Sequence, residues 1–395
     1  MAFRRVVHHG GDIPAPTARL CPAFLFWAVR GTPQAPRDGR EHMKAVVYRG
    51  KGLIAVEDLA VPEPAAGQML VRVDACGICP TDLKKIEQGL LPGPRVFGHE
   101  IAGTVAALGA GTKGFREGQR VVVHHHVPCG SCFYCARKLY AQCAFYKKNG
   151  TTAGFEPSGG GYAEYVLAFD WIVERGTIAI PDGVLPEEAA FVEPVNTCLK
   201  AVRKAGVSKG ESVLVVGQGP IGLLLMQLAR WAGGEVVASD PLAERRALAL
   251  SLGAREALDP AGDVPAQVRA MTEGRGADCT LVAATGPSAF GQALDATRPG
   301  GRILSFAATS RGETAEVDLG LLTTTEKDIL TAYSSSIDVQ QLAADLVFDR
   351  SVRVRELVSH RLPMARAAEA FALAQEPRSG ALKVVLCPGA GEESR

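Results

Sequence analysis

From residue 43 to about residue 195, apolar and polar positions alternate in short runs broken by Gly and Pro. Runs at 43–48, 68–73, 101–107, 119–124 and 162–166 read as strands, and their spacing predicts an irregular, largely β domain. The pattern changes near Asn196. Apolar runs at 212–216, 235–240, 256–259, 279–285, 302–307 and 329–334 now alternate with helical stretches, notably 221–232 and 243–252. Six strands with crossover helices predict a doubly wound parallel sheet. The C-terminal stretch mixes helix and strand and closes with an apolar run at 382–386. The expected architecture is α/β, with a β-rich domain over 43–195 plus 336–395 and a doubly wound domain over 196–335.

Composition changes this picture little. The chain has 395 residues, enough for two domains that each bury a core, and a net charge of +1. Near-neutrality gives no electrostatic reason to expect nucleic acid or an anionic membrane as partner. No apolar run reaches the roughly 20 residues that span a bilayer. Residues 1–42 are rich in Pro, Arg and Gly without a sustained period, and the apolar run 23–29 lacks a clean cleavage site. They are expected to be a disordered extension upstream of a mis-assigned start, with ordered protein beginning at Met43.

Gly217-Gln218-Gly219-Pro220-Ile221-Gly222 fits G-x-G-x-x-G, directly after an apolar strand and at the opening of an apolar helix. Gly217 permits the tight turn, Gly219 lets a pyrophosphate approach the backbone, and Gly222 lets helix and strand pack closely. Asp240 lies near the expected ~20 residues downstream, where a carboxylate binds the ribose hydroxyls and repels a 2′-phosphate. NAD is therefore expected over NADP, although Arg245 and Arg246 offer charge that an extra phosphate would use. A glycine turn without ligand is the bland alternative, and the coincidence of motif, strand, helix and acid argues against it.

Of the 10 cysteines, four crowd together as Cys129, Cys132, Cys135 and Cys143, a C-x2-C-x2-C-x7-C spacing. This reads as a metal site in a reducing, cytoplasmic compartment rather than as disulfides. Four thiolates around zinc leave no open position, so such a site staples a loop. The alternatives are an iron–sulfur cluster, whose ferredoxin spacing is absent, or free thiols.

Three further stretches offer ligands that spacing alone does not unite: Cys79 in Cys76-Gly77-Ile78-Cys79-Pro80-Thr81-Asp82, His99 in Gly98-His99-Glu100, and Glu193 in Phe191-Val192-Glu193-Pro194. Together with Gly160-Gly161-Tyr162-Ala163-Glu164-Tyr165, the four-cysteine loop and the glycine fingerprint, in this order, the chain from Met43 to Pro388 resembles the zinc-dependent medium-chain alcohol dehydrogenases. The likeness is strongest to the polyol (sorbitol/L-iditol) and threonine dehydrogenase branch. The resemblance implies a GroES-like catalytic domain beside a Rossmann domain. It makes Cys79, His99 and Glu193 the ligands of a catalytic zinc, with Glu100 beside the metal as ligand or exchanging with water. Asp82 would orient His99.

By the same resemblance, an alcohol loses a proton through Thr81 and a hydride to nicotinamide. Where many relatives carry a His five residues after the cysteine this chain has Lys84, so the onward proton route is open. Thr197 would pack on the nicotinamide, Lys383 would lie near the pyrophosphate and Arg245 near the adenosine ribose. Cys76 reads as a core residue. His124, His125 and His126 read as strand-end residues bonding locally, with metal binding as the alternative. Phe97, Lys84 and Tyr333 are candidates to line the pocket. The expectation is oxidation of a secondary alcohol (a polyol, sugar derivative or amino alcohol) in a homodimer or homotetramer. A primary-alcohol or aldehyde dehydrogenase and a non-catalytic NAD-binding relative are the competing readings.

Overall fold

A computed structural model describes residues 41–307, 312–376 and 380–388. The expectations for residues 1–40 lie outside the described residues. The first strand, β1 (His42–Gly50), starts one residue before the expected Met43.

The N-terminal half is β-rich. β1 pairs antiparallel with β2 (Leu53–Ala60) and with the two-residue β4 (Arg95–Val96). A larger sheet is centred on β3 (Met69–Gly77) and β5 (Glu100–Leu108), continues through β6 (Arg120–Val123) to β8 (Thr177–Ala179), and has β7 (Tyr165–Ala168) paired to β3. β3 is buried at both ends and alternates in the middle, where exposed Arg72 and half-buried Asp74 separate buried Val71, Val73 and Ala75.

The second half forms a six-stranded parallel sheet from β9 (Ser212–Val216), β10 (Glu235–Ser239), β11 (Glu256–Leu258), β12 (Ala277–Val282), β13 (Thr297–Ser305) and β14 (Asp328–Thr331). The order is β11-β10-β9-β12-β13-β14, so successive strands are added to one side of β9 and then, from β12, to the other. This is the doubly wound Rossmann arrangement, whose ligand crevice opens at the carboxyl ends of the strands next to that switch. β14 is shorter than the apolar run at 329–334 suggested, and Tyr333 lies in the loop beyond it. The physical reason is pairing: β14 has only β13 beside it, and the ladder ends where β13 ends.

β15 (Val358–Pro363) and β16 (Lys383–Cys387) return to the β-rich sheet, with β16 antiparallel to β3. The helix Gln340–Phe348 instead buries its apolar residues in the same core as β9 and β12. The helix Val192–Ala205 runs through that core, closes on Gly206 in the left-handed region (φ 65°), and joins the two halves. No helix among the described residues is long and apolar enough to cross a membrane.

Candidate active site

Strand register gathers the chemistry. Gly77 at the end of β3 pairs with Glu100 at the start of β5 and with Val385 of β16, and Ile101 pairs with Val123 at the end of β6. Cys79, His99, Glu100, His124 and Lys383 therefore emerge at one end of one sheet, although they span most of the sequence.

Cys79, His99 and Glu100 each offer a ligand atom, and these atoms lie within 4.8 Å of one another. Asp82 accepts from His99 Nδ1 at 2.9 Å through Oδ2, which leaves Nε2 for the ligand cluster. The same oxygen accepts from the Gly98 N–H at 3.2 Å and the Tyr162 hydroxyl at 3.3 Å. Burial disfavours the Asp82 carboxylate, but the charges of His99 and Lys85 and these hydrogen bonds hold its pKa far below the usual range. His99 shows the converse. Burial pulls its pKa down, and Asp82 and Cys79 outweigh that and raise it well above the ordinary value. A sulfur, nitrogen and oxygen set in so negative a field fits a divalent zinc.

Glu193 stands outside that three-residue group, in the first turn of the helix Val192–Ala205. It is buried, and burial pushes its pKa up to about 7 against the pull of His99. Glu100 gives both carboxylate oxygens to Lys383 Nζ, at 2.8 Å each, and both residues are buried. Lys383 thus meets Glu100 beside the ligand cluster, whereas the sequence comparison suggested a pyrophosphate. Thr81 is half-buried in the first turn of the helix Pro80–Gln88, next to Cys79. Cys76 is buried in the β-rich core.

Sequence reasoning missed three parts of this site. The Tyr162 hydroxyl shares its one proton between Asp82 Oδ2 at 3.3 Å and the Gly77 carbonyl at 3.4 Å and accepts from the Cys79 N–H at 3.4 Å, so it ties the ligand loops together. Its signal was its place in the motif 160–165, which carried the resemblance but assigned Tyr162 no role. Lys85 was overlooked because a helix lysine is ordinarily a solvated charge. The histidines do more than bond locally. His124 Nε2 lies 3.2 Å from Ser335 Oγ, the His125 ring centre is 5.1 Å from that of His99, and His126 stacks on Tyr146 at 4.4 Å.

In the four-cysteine lobe, Sγ separations are 3.6 Å for Cys129–Cys143, 3.5 Å for Cys132–Cys135 and 3.9 Å for Cys129–Cys135. A tetrahedron with Zn–S bonds of about 2.3 Å has edges of about 3.8 Å. The lobe fits one zinc and leaves no ligand position open.

At the nucleotide end, Gly217 has φ 89°, and a Cβ there would meet the Ala284 nitrogen at 2.9 Å. A Cβ on Gly222 would lie 1.7 Å from the Gly217 carbonyl oxygen, so helix and strand approach too closely for a side chain. Gly219 precedes the helix Pro220–Trp231, which begins Pro220-Ile221, and a Cβ there would meet Arg245 Nη1 at 3.9 Å, an ordinary contact. Asp240 follows β10 and is buried. Its Oδ2 accepts from the Gln218 N–H at 2.7 Å and its Oδ1 from the Leu242 N–H at 2.8 Å. Arg245 lies 4.0 Å from Asp240, and Arg246 pairs with Asp259 at 3.0 Å. Thr197 is buried with its hydroxyl on the Pro194 carbonyl, 2.9 Å away.

Comparison with known proteins agrees with this geometry. The family description "Alcohol dehydrogenase GroES-like domain" matches residues 65–181, and "Zinc-binding dehydrogenase" matches residues 220–349. Sorbitol dehydrogenase of Homo sapiens is 30% identical over 343 residues, covering 83% of this chain and 91% of that one. This chain belongs to the zinc-type alcohol dehydrogenase family. L-threonine 3-dehydrogenase of Pyrococcus abyssi is 35% identical over 268 residues, covering 66% of this chain and 73% of that one. Among solved structures, a protein from Sinorhizobium meliloti 1021 bound to NADP superposes with a TM-score of 0.79 at 30% identity, covering 88% of this dehydrogenase and all of its own chain. The family makes this chain an oxidoreductase with a GroES-like domain and a Rossmann domain.

Proposed function

We propose that this dehydrogenase oxidises a secondary alcohol (a polyol, sugar derivative or amino alcohol) to a ketone, passing the hydride to NAD. The observation that carries the reading is the meeting of Cys79, His99 and Glu100 at one point, with Asp82 fixing the His99 ring. Cys79, His99 and Glu193 would hold a catalytic zinc, with Glu100 exchanging between the metal and Lys383. Cys129, Cys132, Cys135 and Cys143 would hold a structural one. When bound, the catalytic ion supplies Lewis-acid stabilisation of negative charge on the substrate oxygen.

The remaining roles fall to side chains. Thr81, two residues from Cys79, would relay the hydroxyl proton, accepting it while passing its own to ribose hydroxyls or water. Asp82 keeps His99 in the tautomer that presents Nε2. Gly217, Gly219, Pro220, Ile221 and Gly222 receive the pyrophosphate at a helix N-terminus. Asp240 takes the ribose hydroxyls and disfavours a 2′-phosphate, so NAD is proposed over NADP, with Arg245 flanking the ribose. Thr197 backs the nicotinamide, and burial of the site between the domains excludes water. The domain limits that serve this reading are 43–195 plus 336–395 and 196–335. A homo-oligomer fits the edge of the parallel sheet at β14, where Ile329 is exposed. A reducing cytoplasm suits the free thiols.

The test is a spectrophotometric screen of the zinc-loaded protein over polyols, sugar derivatives including sugar acids, amino alcohols and primary alcohols, with NAD and NADP in parallel. Reduction of NAD by secondary alcohols is expected. No reduction of either cofactor across the panel would refute the reading, and a preference for primary alcohols would redirect it.

A further inference from the structure

Beside the ligand cluster stands a lysine to which the proposed reaction gives no role. Lys85 lies three residues after Asp82 in the helix Pro80–Gln88, on the same face. Its ammonium is 3.4 Å from Asp82 Oδ1 and 5.8 Å from the Phe97 ring centre, and its side chain is 33% exposed. A charge-assisted contact is usually about 2.7–2.9 Å, so the pair is loose. The close partners of Asp82, His99 and the Gly98 N–H, sit on its other oxygen. Lys383 offers the contrast, because Glu100 neutralises it through both oxygens.

Lys85 remains charged. Burial lowers its pKa, but Asp82, Cys79 and Tyr333 outweigh that and raise it above the ordinary lysine value. Cys79 belongs to the ligand cluster, and Tyr333 belongs to the loop after β14 in the other domain, so this ammonium stands where the two domains face each other across the site. Its field also reaches His125 and His126. Those two rings lie with centres 3.5 Å apart and continue the wall from His99. Both rings are enclosed, and their Nδ1 atoms have no hydrogen-bond partner among the described residues.

We propose that Lys85 determines specificity and that the preferred substrate is a polyhydroxy carboxylate, with its carboxylate on the Lys85 ammonium and its hydroxyls along His125 and His126. The inference rests on the alcohol-dehydrogenase reading of the same site. A neutral polyol would leave a largely enclosed ammonium with one loose partner, a costly arrangement. A phosphate dianion would call for several donors, whereas of the two ammonium groups described beside the ligand cluster Lys383 is already taken up by Glu100 and Lys85 alone is loosely paired.

The test is calorimetric titration of the zinc-loaded full chain, saturated with NADH so that no turnover occurs, using gluconate and sorbitol as acid and alcohol of equal length. Gluconate is expected to bind at least about tenfold more tightly. Lys85→Met should bring the two Kd values within about threefold of each other, and Lys85→Arg should retain the preference. Equal binding, tighter sorbitol binding or no gluconate binding by the unmodified protein overturns the proposal. Parallel weakening of both ligands by Lys85→Met overturns it too, since Lys85 would then only support Asp82. Should Lys85→Met not fold, the unmodified protein and Lys85→Arg still decide. Gluconate preference without cofactor reduction in the screen would uphold this inference and defeat the hydride-transfer reading. Reduction by neutral alcohols without acid preference would do the reverse.

Discussion

Asp82→Asn isolates the part of the site that acts through His99. Asp82 is buried, and one of its oxygens serves three donors: His99 Nδ1 at 2.9 Å, the Gly98 N–H at 3.2 Å and the Tyr162 hydroxyl at 3.3 Å. An asparagine keeps its carbonyl oxygen there only by turning its amide toward the Lys85 ammonium, donor against donor, where Oδ1 now lies 3.4 Å away. Turned the other way, the amide faces all three donors. In either pose the negative charge that raises His99 basicity is gone. A hydrogen bond to a charged group contributes about 1.5–3 kcal/mol, and about 1.4 kcal/mol corresponds to a factor of ten. Zinc affinity at the Cys79 site should therefore fall about tenfold to a hundredfold, the range usual for partners that orient a ligand. Competition with a chromogenic chelator measures this, and the four-cysteine site of the same chain serves as the internal control. An unchanged Kd at the Cys79 site, with an unchanged melting temperature, would refute the argument that Asp82 sets the ligand strength of His99.

Three other outcomes follow from the geometry. Gly222→Ala would place a Cβ 1.7 Å from the Gly217 oxygen, so cofactor Kd by fluorescence titration should rise at least about tenfold, and an unaltered Kd would show that the loop does not carry the cofactor. Asp240→Ala removes the acceptor of the Gln218 and Leu242 N–H groups together with the charge facing the ribose, so the NAD-over-NADP preference should shrink by about tenfold; a constant ratio of Kd values contradicts the ribose role. Cys129→Ser should cost one equivalent of zinc by elemental analysis and lower the melting temperature while the Cys79 site keeps its metal, because the two clusters share no residue; undiminished zinc would dismiss the four-thiolate centre.

Local signals carried most of the architecture. The apolar runs at 212–216 and 235–240 and the glycine turn between them are local in sequence, and their physics is local too: a strand, a turn that needs positive φ at Gly217, and a helix start. The two-residue gaps of Cys129, Cys132 and Cys135 are likewise enough to bring thiolates together, and Cys143 closes the set seven residues on. Distance along the chain is what hid the rest. Glu100 and Lys383 meet only because β16 pairs with β3 and β3 with β5, so no window of sequence holds both. Tyr162 reaches Asp82 and Cys79 across the sheet for the same reason. Lys85 and His125 were visible as residues, but whether a lysine or histidine faces solvent or a metal site is set by burial and by neighbouring charge, and tertiary packing alone decides both.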